Sequence, residues 1–192
     1  NTTEKKIITV EDPVEYRLPG INQVQVNDKI ELSFERVLRS ALRQDPDVIL
    51  VGEMRDQITA EIGLRAAITG HMVLSTLHTN DAASTPIRLL DMGVPRYMVA
   101  MSLQMVIAQR LVRVICEHCA RPRTLNPQEH EWLRVEIGDE VDRHEYREGA
   151  GCSHCNGTGY LGRTCIYEML EMTAPVVEAA NQEDPAAFIR AA

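Results

Sequence analysis

Short apolar runs alternate with helical stripes through the first part of the chain. Ile7-Ile8-Thr9-Val10 is β-rich and ends in Glu11-Asp12-Pro13, which predicts a strand carrying two carboxylates at its carboxyl end. A polar, extended stretch holding Pro19-Gly20 follows. Ser33 then fits an N-cap, and Phe34, Val37, Leu38, Ala41 and Leu42 recur at helical spacing, with Arg36, Arg39 and Arg43 on another face. Asp45-Pro46-Asp47 breaks this helix, and the continuous apolar run Val48–Val51, closed by Gly52-Glu53, predicts a buried parallel strand. A helix over about 56–69, with Ile58, Ile62 and Ala66 on one face and Gly70 as its stop, leads into a third strand from Met72 to His78. Helices over about 82–92 and 96–112 come next. The first is ended by Gly93, the second is opened by Pro95, and Met98, Met101 and Met105 line one face as core or as a subunit contact.

Strand, helix, strand repeats of this length predict right-handed crossovers and a parallel sheet covered by helices, an α/β fold. The texture changes at the first cysteine. An acidic helical stretch containing Trp132 separates two cysteine pairs, the second of which is glycine-rich and leads into a strand-like Thr164-Cys165-Ile166-Tyr167. The last stretch is alanine-rich and interrupted by Pro185. The expected organisation is therefore an α/β core over residues 1–113, a tetracysteine subdomain over 114–170 and a helical segment over 171–192. With 44% hydrophobic and 25% charged residues in 192, the chain suits one cored domain with a small appendage. Its net charge of −8 and its lack of basic runs interleaved with aromatics exclude nucleic acid as the expected partner. No run of about eighteen apolar residues is present to span a membrane.

The cysteines carry the strongest chemistry. Cys116-Glu117-His118-Cys119 and Cys152-Ser153-His154-Cys155 are two C-x-x-C knuckles, the spacing at which four thiolates meet one tetrahedral Zn²⁺. Glycines at 149, 151, 157 and 159 supply the φ > 0 positions that such tight turns need. Two disulfides or four unrelated buried thiols are the alternative reading; the symmetric spacing and the intracellular character of the chain favour the metal. Cys165 stands outside the pattern and is expected as a small buried core residue.

Acids and imidazoles at strand ends form a second constellation. Carboxylates delivered to the carboxyl edge of a parallel sheet are how nucleotide-hydrolysing sheets organise Mg²⁺ and water, and three strands here deliver Glu11 with Asp12, Glu53, and His78. Each alone is as readily a solvated surface group. Their occurrence together in order suggests phosphoryl transfer. His71 and His78 flank one strand at its two ends.

The same residues resemble a known family. Ile8-Thr9-Val10-Glu11-Asp12-Pro13-Val14-Glu15-Tyr16 is similar to the aspartate box of the secretion ATPases, the hexameric motors of type II secretion and type IV pilus assembly. Asp45–Asp56 resembles their Walker B region, and Thr69-Gly70-His71 through Leu77-His78-Thr79-Asn80 their histidine box. The resemblance runs from about Ile7 to Glu168 and implies a partial RecA-like core with flanking helices plus a zinc subdomain. It implies a general base at Glu11, a Walker B acid organising Mg²⁺ through water at Glu53, a γ-phosphate sensor at His78, and nucleotide contacts from Asp12, Arg55 and His71. Gly52 stands where many P-loop enzymes carry an aspartate, and Cys165 where the family usually has glycine. Retraction members of the family lack the cysteine quartet, so the knuckles imply the pilus-assembly or type II secretion branch. Tyr16–Val26 is most similar to pilus-extension motors.

No G-x-x-x-x-G-K-[ST] occurs in the 192 residues, so the loop that cradles a triphosphate is not among them. In this family that loop lies shortly before the aspartate box, and the chain is expected to be the carboxyl-terminal part of a motor, inactive by itself. The implied cofactors are structural Zn²⁺ and, in the full-length protein, ATP with Mg²⁺. The implied partners are five further copies in a homo-hexamer, an inner-membrane platform protein and cytoplasmic recruitment proteins. The implied location is cytoplasmic, peripheral to the inner membrane. The alternative is a catalytically silent, zinc-stapled scaffold that docks the platform protein.

Overall fold

The apolar runs pair as their pattern requires. In the computed structural model, which describes residues 4–182 and 184–192, β1 (Ile7–Glu11), β2 (Asn22–Gln25), β3 (Val48–Val51) and β4 (Met72–Ser75) form a parallel four-stranded sheet ordered β2-β1-β3-β4. Ile8 sits opposite Ile49 and Val10 opposite Val51, and Ile49 in turn opposite Val73, so one face is a continuous apolar surface. Two helices connect these strands, α1 (Phe34–Ala41) and α2 (Gln57–Ile68). Ser33 caps α1 by accepting from the Arg36 N–H, and Asp56 caps α2 by accepting from the Thr59 N–H at 2.8 Å. Leu38 of α1 and Ala60 and Leu64 of α2 close over Ile49 and Val51. They are joined there by Leu89 of α3 (Ser84–Asp91) and by Met98 and Val99 of α4 (Arg96–Ser102).

β5 (Met105–Ile115) and β8 (Tyr160–Glu171) form a separate two-stranded sheet. Between them lie β6 (Ala120–Pro122), α5 (Pro127–Ile137) and β7 (Arg147–Gly149), with β6 and β7 paired antiparallel. A full capping box starts α5: Asn126 accepts from the Glu129 N–H while the Glu129 carboxylate accepts from the Asn126 N–H. Helices α6 (Ala174–Asn181) and α7 (Pro185–Ala191) end the chain and bury Val176, Ala179, Ala180 and Phe188 with Leu170 and Ala82. The Arg96 guanidinium donates to the Ala180 and Gln182 carbonyls at 3.2 and 2.8 Å. The chain divides into two units, one holding the residues up to Ala108 with Glu168–Ala192, the other Gln109–Tyr167.

Four expectations are corrected. The helix expected over 96–112 ends at Ser102, Leu103 is extended, and Met105–Ile115 is strand. Five β-branched residues populate that run, and its first part alternates exposed and half-buried positions, the period of a strand. The methionines share no face, because Met98 is buried whereas Met101 is 63% and Met105 47% exposed. On α2 the expected face is only partly inward: Ala66 is buried and Ile62 packs against the core, but Ile58 is half exposed, and Ala60, Gly63 and Leu64 carry the rest of the buried face. Cys165 is partly exposed on β8, because a two-stranded ribbon offers no core to bury it.

Candidate functional site

In a parallel sheet every strand ends at the same edge, and here that edge collects Glu11 from β1, Glu53 from beyond β3 and His78 from beyond β4. The strand ends are locked to one another. The Gly52 N–H donates to the Val10 carbonyl at 2.7 Å, the Thr76 hydroxyl to the Gly52 carbonyl at 2.6 Å, and the Met54 N–H to the Thr76 carbonyl at 3.1 Å. Gly52 is needed here for space: a Cβ would lie 3.1 Å from the Val10 oxygen and 3.3 Å from the Glu11 Cα. A side chain at this position would crowd β1 by a few tenths of an ångström, and the acid that follows β3 at this edge is Glu53, one residue later.

Glu53 is the hub. Its Oε1 lies 2.9 Å from His78 Nε2 and its Oε2 2.5 Å from Arg55 Nε, while Arg55 Nη1 reaches Asp12 Oδ2 at 3.4 Å. One guanidinium thus ties the ends of β1 and β3, and its hydrogen bond to Glu53 holds its own pKa above the usual arginine range. Glu53 is largely shielded, whereas the His78 side chain is 90% exposed. Glu11 stands beside this network: its Oε1 accepts from the Thr9 hydroxyl and from Gln23 Nε2 at 3.0 Å. The structure therefore brings together Glu11, Asp12, Glu53, Arg55 and His78.

His71 lies elsewhere. It precedes β4 at the amino edge, about 13 Å away for four residues of strand at about 3.3 Å each. There its Nδ1 contacts the Ala66 carbonyl at 3.1 Å and the Thr69 hydroxyl at 3.3 Å, closing the carboxyl end of α2. Sequence reasoning missed Thr9, Gln23 and Thr76. Thr9 could have been found, since it shares Glu11's side of β1 two residues earlier. Gln23 could not, because its place opposite Thr9 depends on the β1–β2 register.

The four knuckle thiols converge. Their sulfurs all lie within 4.8 Å of one another, with Cys116–Cys152 and Cys119–Cys155 at 3.9 Å and Cys152–Cys155 at 3.7 Å. A tetrahedron of thiolates about 2.3 Å from Zn²⁺ has edges of about 3.8 Å, whereas a disulfide would hold two sulfurs at about 2.05 Å. The spacing fits the metal and not the bond. Asn156, Gly151, Gly157 and Gly159 all adopt φ between 51° and 86° to make the turns, and Gly149 and Gly159 are in backbone contact.

Backbone N–H groups of Cys152 and Gly159 each donate to Cys155 Sγ at 3.2 Å, and that of Cys152 is the larger cause in drawing the Cys155 thiol down to about 6. Burial raises Cys116 and pushes Cys119 up to about 11. Cys155 is thus drawn toward the thiolate, while a cation would have to displace the protons of Cys116 and Cys119. The knuckle histidines His118 and His154 pack with ring centroids 4.0 Å apart and planes tilted by 48°, outside the quartet.

The chain is similar to known proteins over most of its length. A family model described as "Type II/IV secretion system protein" matches residues 1–191. The type IV pilus assembly ATPase PilB of Pseudomonas aeruginosa is 51% identical over 187 residues, covering 96% of this chain and 32% of that protein. Type II secretion system protein E of Aeromonas hydrophila is 47% identical over 181 residues, covering 94% and 36%. Among solved structures, the pilus retraction motor PilT with bound ADP superposes with a TM-score of 0.62 at 34% identity, over 92% of this chain and 41% of that one. The chain spans about a third of the length of these curated relatives.

Proposed function

The chain belongs to the type II/IV secretion system protein family, and from that premise we propose that it is the carboxyl-side part of an ATP-hydrolysing motor subunit. The motor converts hydrolysis into pilin or pseudopilin extension, in type IV pilus assembly or type II secretion. The observation that supports this reading is the meeting of Glu11, Asp12, Glu53, Arg55 and His78 at one edge of a parallel sheet. Glu11, with one carboxylate oxygen occupied by donors, accepts the proton of the attacking water through the other. Glu53 would help hold Mg²⁺, and Arg55 fixes Glu53 relative to Asp12. When present with the nucleotide, Mg²⁺ neutralises phosphate charge. His78 exchanges its contact with Glu53 for the γ-phosphate and so distinguishes ATP from ADP.

The triphosphate itself is held by a phosphate loop outside these 192 residues. The sites assemble in a homo-hexamer that works on the cytoplasmic side of the inner membrane, through a platform protein and recruitment proteins. Among the described residues no helix is long and apolar enough to cross a membrane. Cys116, Cys119, Cys152 and Cys155 would hold one Zn²⁺, whose contribution is to staple the loop between the knuckles.

The test is Mg²⁺-dependent ATP hydrolysis by a polypeptide that carries the phosphate loop together with this chain, compared with its Glu53→Gln variant. Hydrolysis that falls by about 10²-fold or more in the variant supports the motor. No hydrolysis in the unsubstituted protein would leave the scaffold reading in its place.

A further inference from the structure

We propose that Gln23 is a positioning residue that aims Glu11, fastening one oxygen of its carboxylate so that the other faces the attacking water, and that it ties this aim to the loop after β1. The inference rests on the reading of Glu11 as the base. The β1–β2 register sets Gln23 opposite Thr9, beside the face from which Glu11 also projects. Every polar group of the Gln23 amide is engaged. Its Nε2 donates to Glu11 Oε1 at 3.0 Å and to the Tyr16 carbonyl at 2.9 Å, and its Oε1 accepts from the Leu18 N–H at 2.7 Å. Two of these partners can only accept and the third can only donate, so one orientation of the amide satisfies all three.

The consequence falls on Glu11. Both of its hydrogen bonds, from Thr9 and from Gln23, land on Oε1. Among the described residues nothing donates to Oε2, which is left with its lone pairs available. In the reaction a water O–H bond breaks and its proton passes to Oε2. The water oxygen bonds to the γ-phosphorus, and the bond from that phosphorus to the bridging oxygen breaks with its electron pair leaving on ADP. A carboxylate that rotated freely would offer this geometry only part of the time; one held at Oε1 offers it continuously. The same amide grips Tyr16 and Leu18, which lie in an exposed segment, Tyr16 itself being 77% exposed. Whatever moves that segment in a working motor moves the base with it.

The experiment uses the full-length motor with Gln23→Met, which keeps the length and removes every donor and acceptor oxygen, and Gln23→Glu, which keeps an acceptor for the Leu18 N–H but turns an acceptor toward Glu11. We expect kcat to fall about tenfold in Gln23→Met, equivalent to about 1.4 kcal/mol and within the range of one lost hydrogen bond, and further in Gln23→Glu, with KM for ATP within about twofold of wild type. Combined with Glu11→Gln, neither change should slow the enzyme further, because a residue that acts only through Glu11 has nothing left to aim. An unchanged kcat, a KM that shifts as much as kcat, or an additional tenfold loss in the Glu11→Gln background would overturn the inference. If Gln23→Met does not fold, Gln23→Glu carries the same comparison. Glu11→Gln at wild-type speed would overturn the base reading and this inference together; an inactive Glu11→Gln beside a fully active Gln23→Met overturns the inference alone.

Discussion

Gly52→Ala is the smallest change that reaches the site through the fold. Gly52 does not occupy the left-handed region, so alanine meets no backbone penalty there and the substitution tests contact alone. The added methyl lies 3.1 Å from the Val10 oxygen, 3.3 Å from the Glu11 Cα and 3.8 Å from its Cγ. The first two neighbours are backbone, held by the 2.7 Å hydrogen bond from the Gly52 N–H to Val10, so β1 and β3 must part by a few tenths of an ångström. Overpacking of this kind costs about 1–3 kcal/mol, and the lost freedom of the unfolded chain returns about 0.4–1, leaving a net loss of about 1 kcal/mol. With a urea m-value of about 2 kcal/mol/M, the midpoint should drop by about 0.5 M. A displacement of 1 Å can cost a catalytic group about 10²-fold, so a shift of a few tenths at Glu11 should slow hydrolysis several-fold in a polypeptide that carries the phosphate loop. Circular dichroism through a urea titration and steady-state phosphate release read the two effects. A midpoint at or above that of the unsubstituted protein with unchanged m would refute the claim that this contact is tight.

Other expectations follow from single contacts. A Cβ on Gly149 would lie 1.9 Å from the Gly159 carbonyl oxygen, whose residue donates to Cys155 Sγ and accepts from the Cys116 N–H; Gly149→Ala should therefore cut bound zinc well below one equivalent by atomic absorption. Asp47 is held below the usual carboxylate range, first by the Lys6 N–H at 2.7 Å and then by the Lys5 ammonium. Since its folded value lies below the unfolded one near 3.8, its contribution is complete above that pH and lost as pH falls through the lower folded value. The stability gap between wild type and Asp47→Asn should accordingly be constant from pH 7 to about 5 and close below about pH 4 in urea titrations. His78→Ala, on a side chain that is 90% exposed, should leave the unfolding midpoint unchanged. Its effect should appear as a loss of ATP-over-ADP preference of about 1–3 kcal/mol by equilibrium titration, and equal preferences before and after would remove the sensor role.

The parts of the fold legible in the sequence are those where local chemistry and tertiary packing agree. Val48–Val51 is apolar without alternation because it is a central parallel strand, and Ser33 and Asp56 announce the helices they cap. The convergence of the four cysteines was legible because two C-x-x-C knuckles are a spacing that brings four sulfurs together. What failed was non-local. Met105–Ile115 pairs with a strand some fifty residues later, and although its β-branched residues favour a strand, its mixture of Leu, Val, Arg and Gln also fits an amphipathic helix continuing α4, a choice settled only by that distant partner. Asn22–Gln25 is too short and too polar to be recognised as a strand before β1 is laid beside it. The distance between His71 and the acids follows from the direction of the strand rather than from membership of the same histidine-containing segment. The hydrogen bonds of Thr9 and Gln23 to Glu11 follow from a register that no single segment encodes.

The central claim is that Glu11 is the base of a hydrolytic site at the carboxyl edge of the sheet. Its most direct test is Glu11→Gln in a polypeptide that includes the phosphate loop, with kcat and Mg²⁺–ATP affinity measured on the same preparation. The account predicts a kcat lower by about 10²-fold or more with affinity within about threefold, because the amide fills the same space and lacks only a basic oxygen. Hydrolysis at the wild-type rate, with nucleotide still bound, would contradict it.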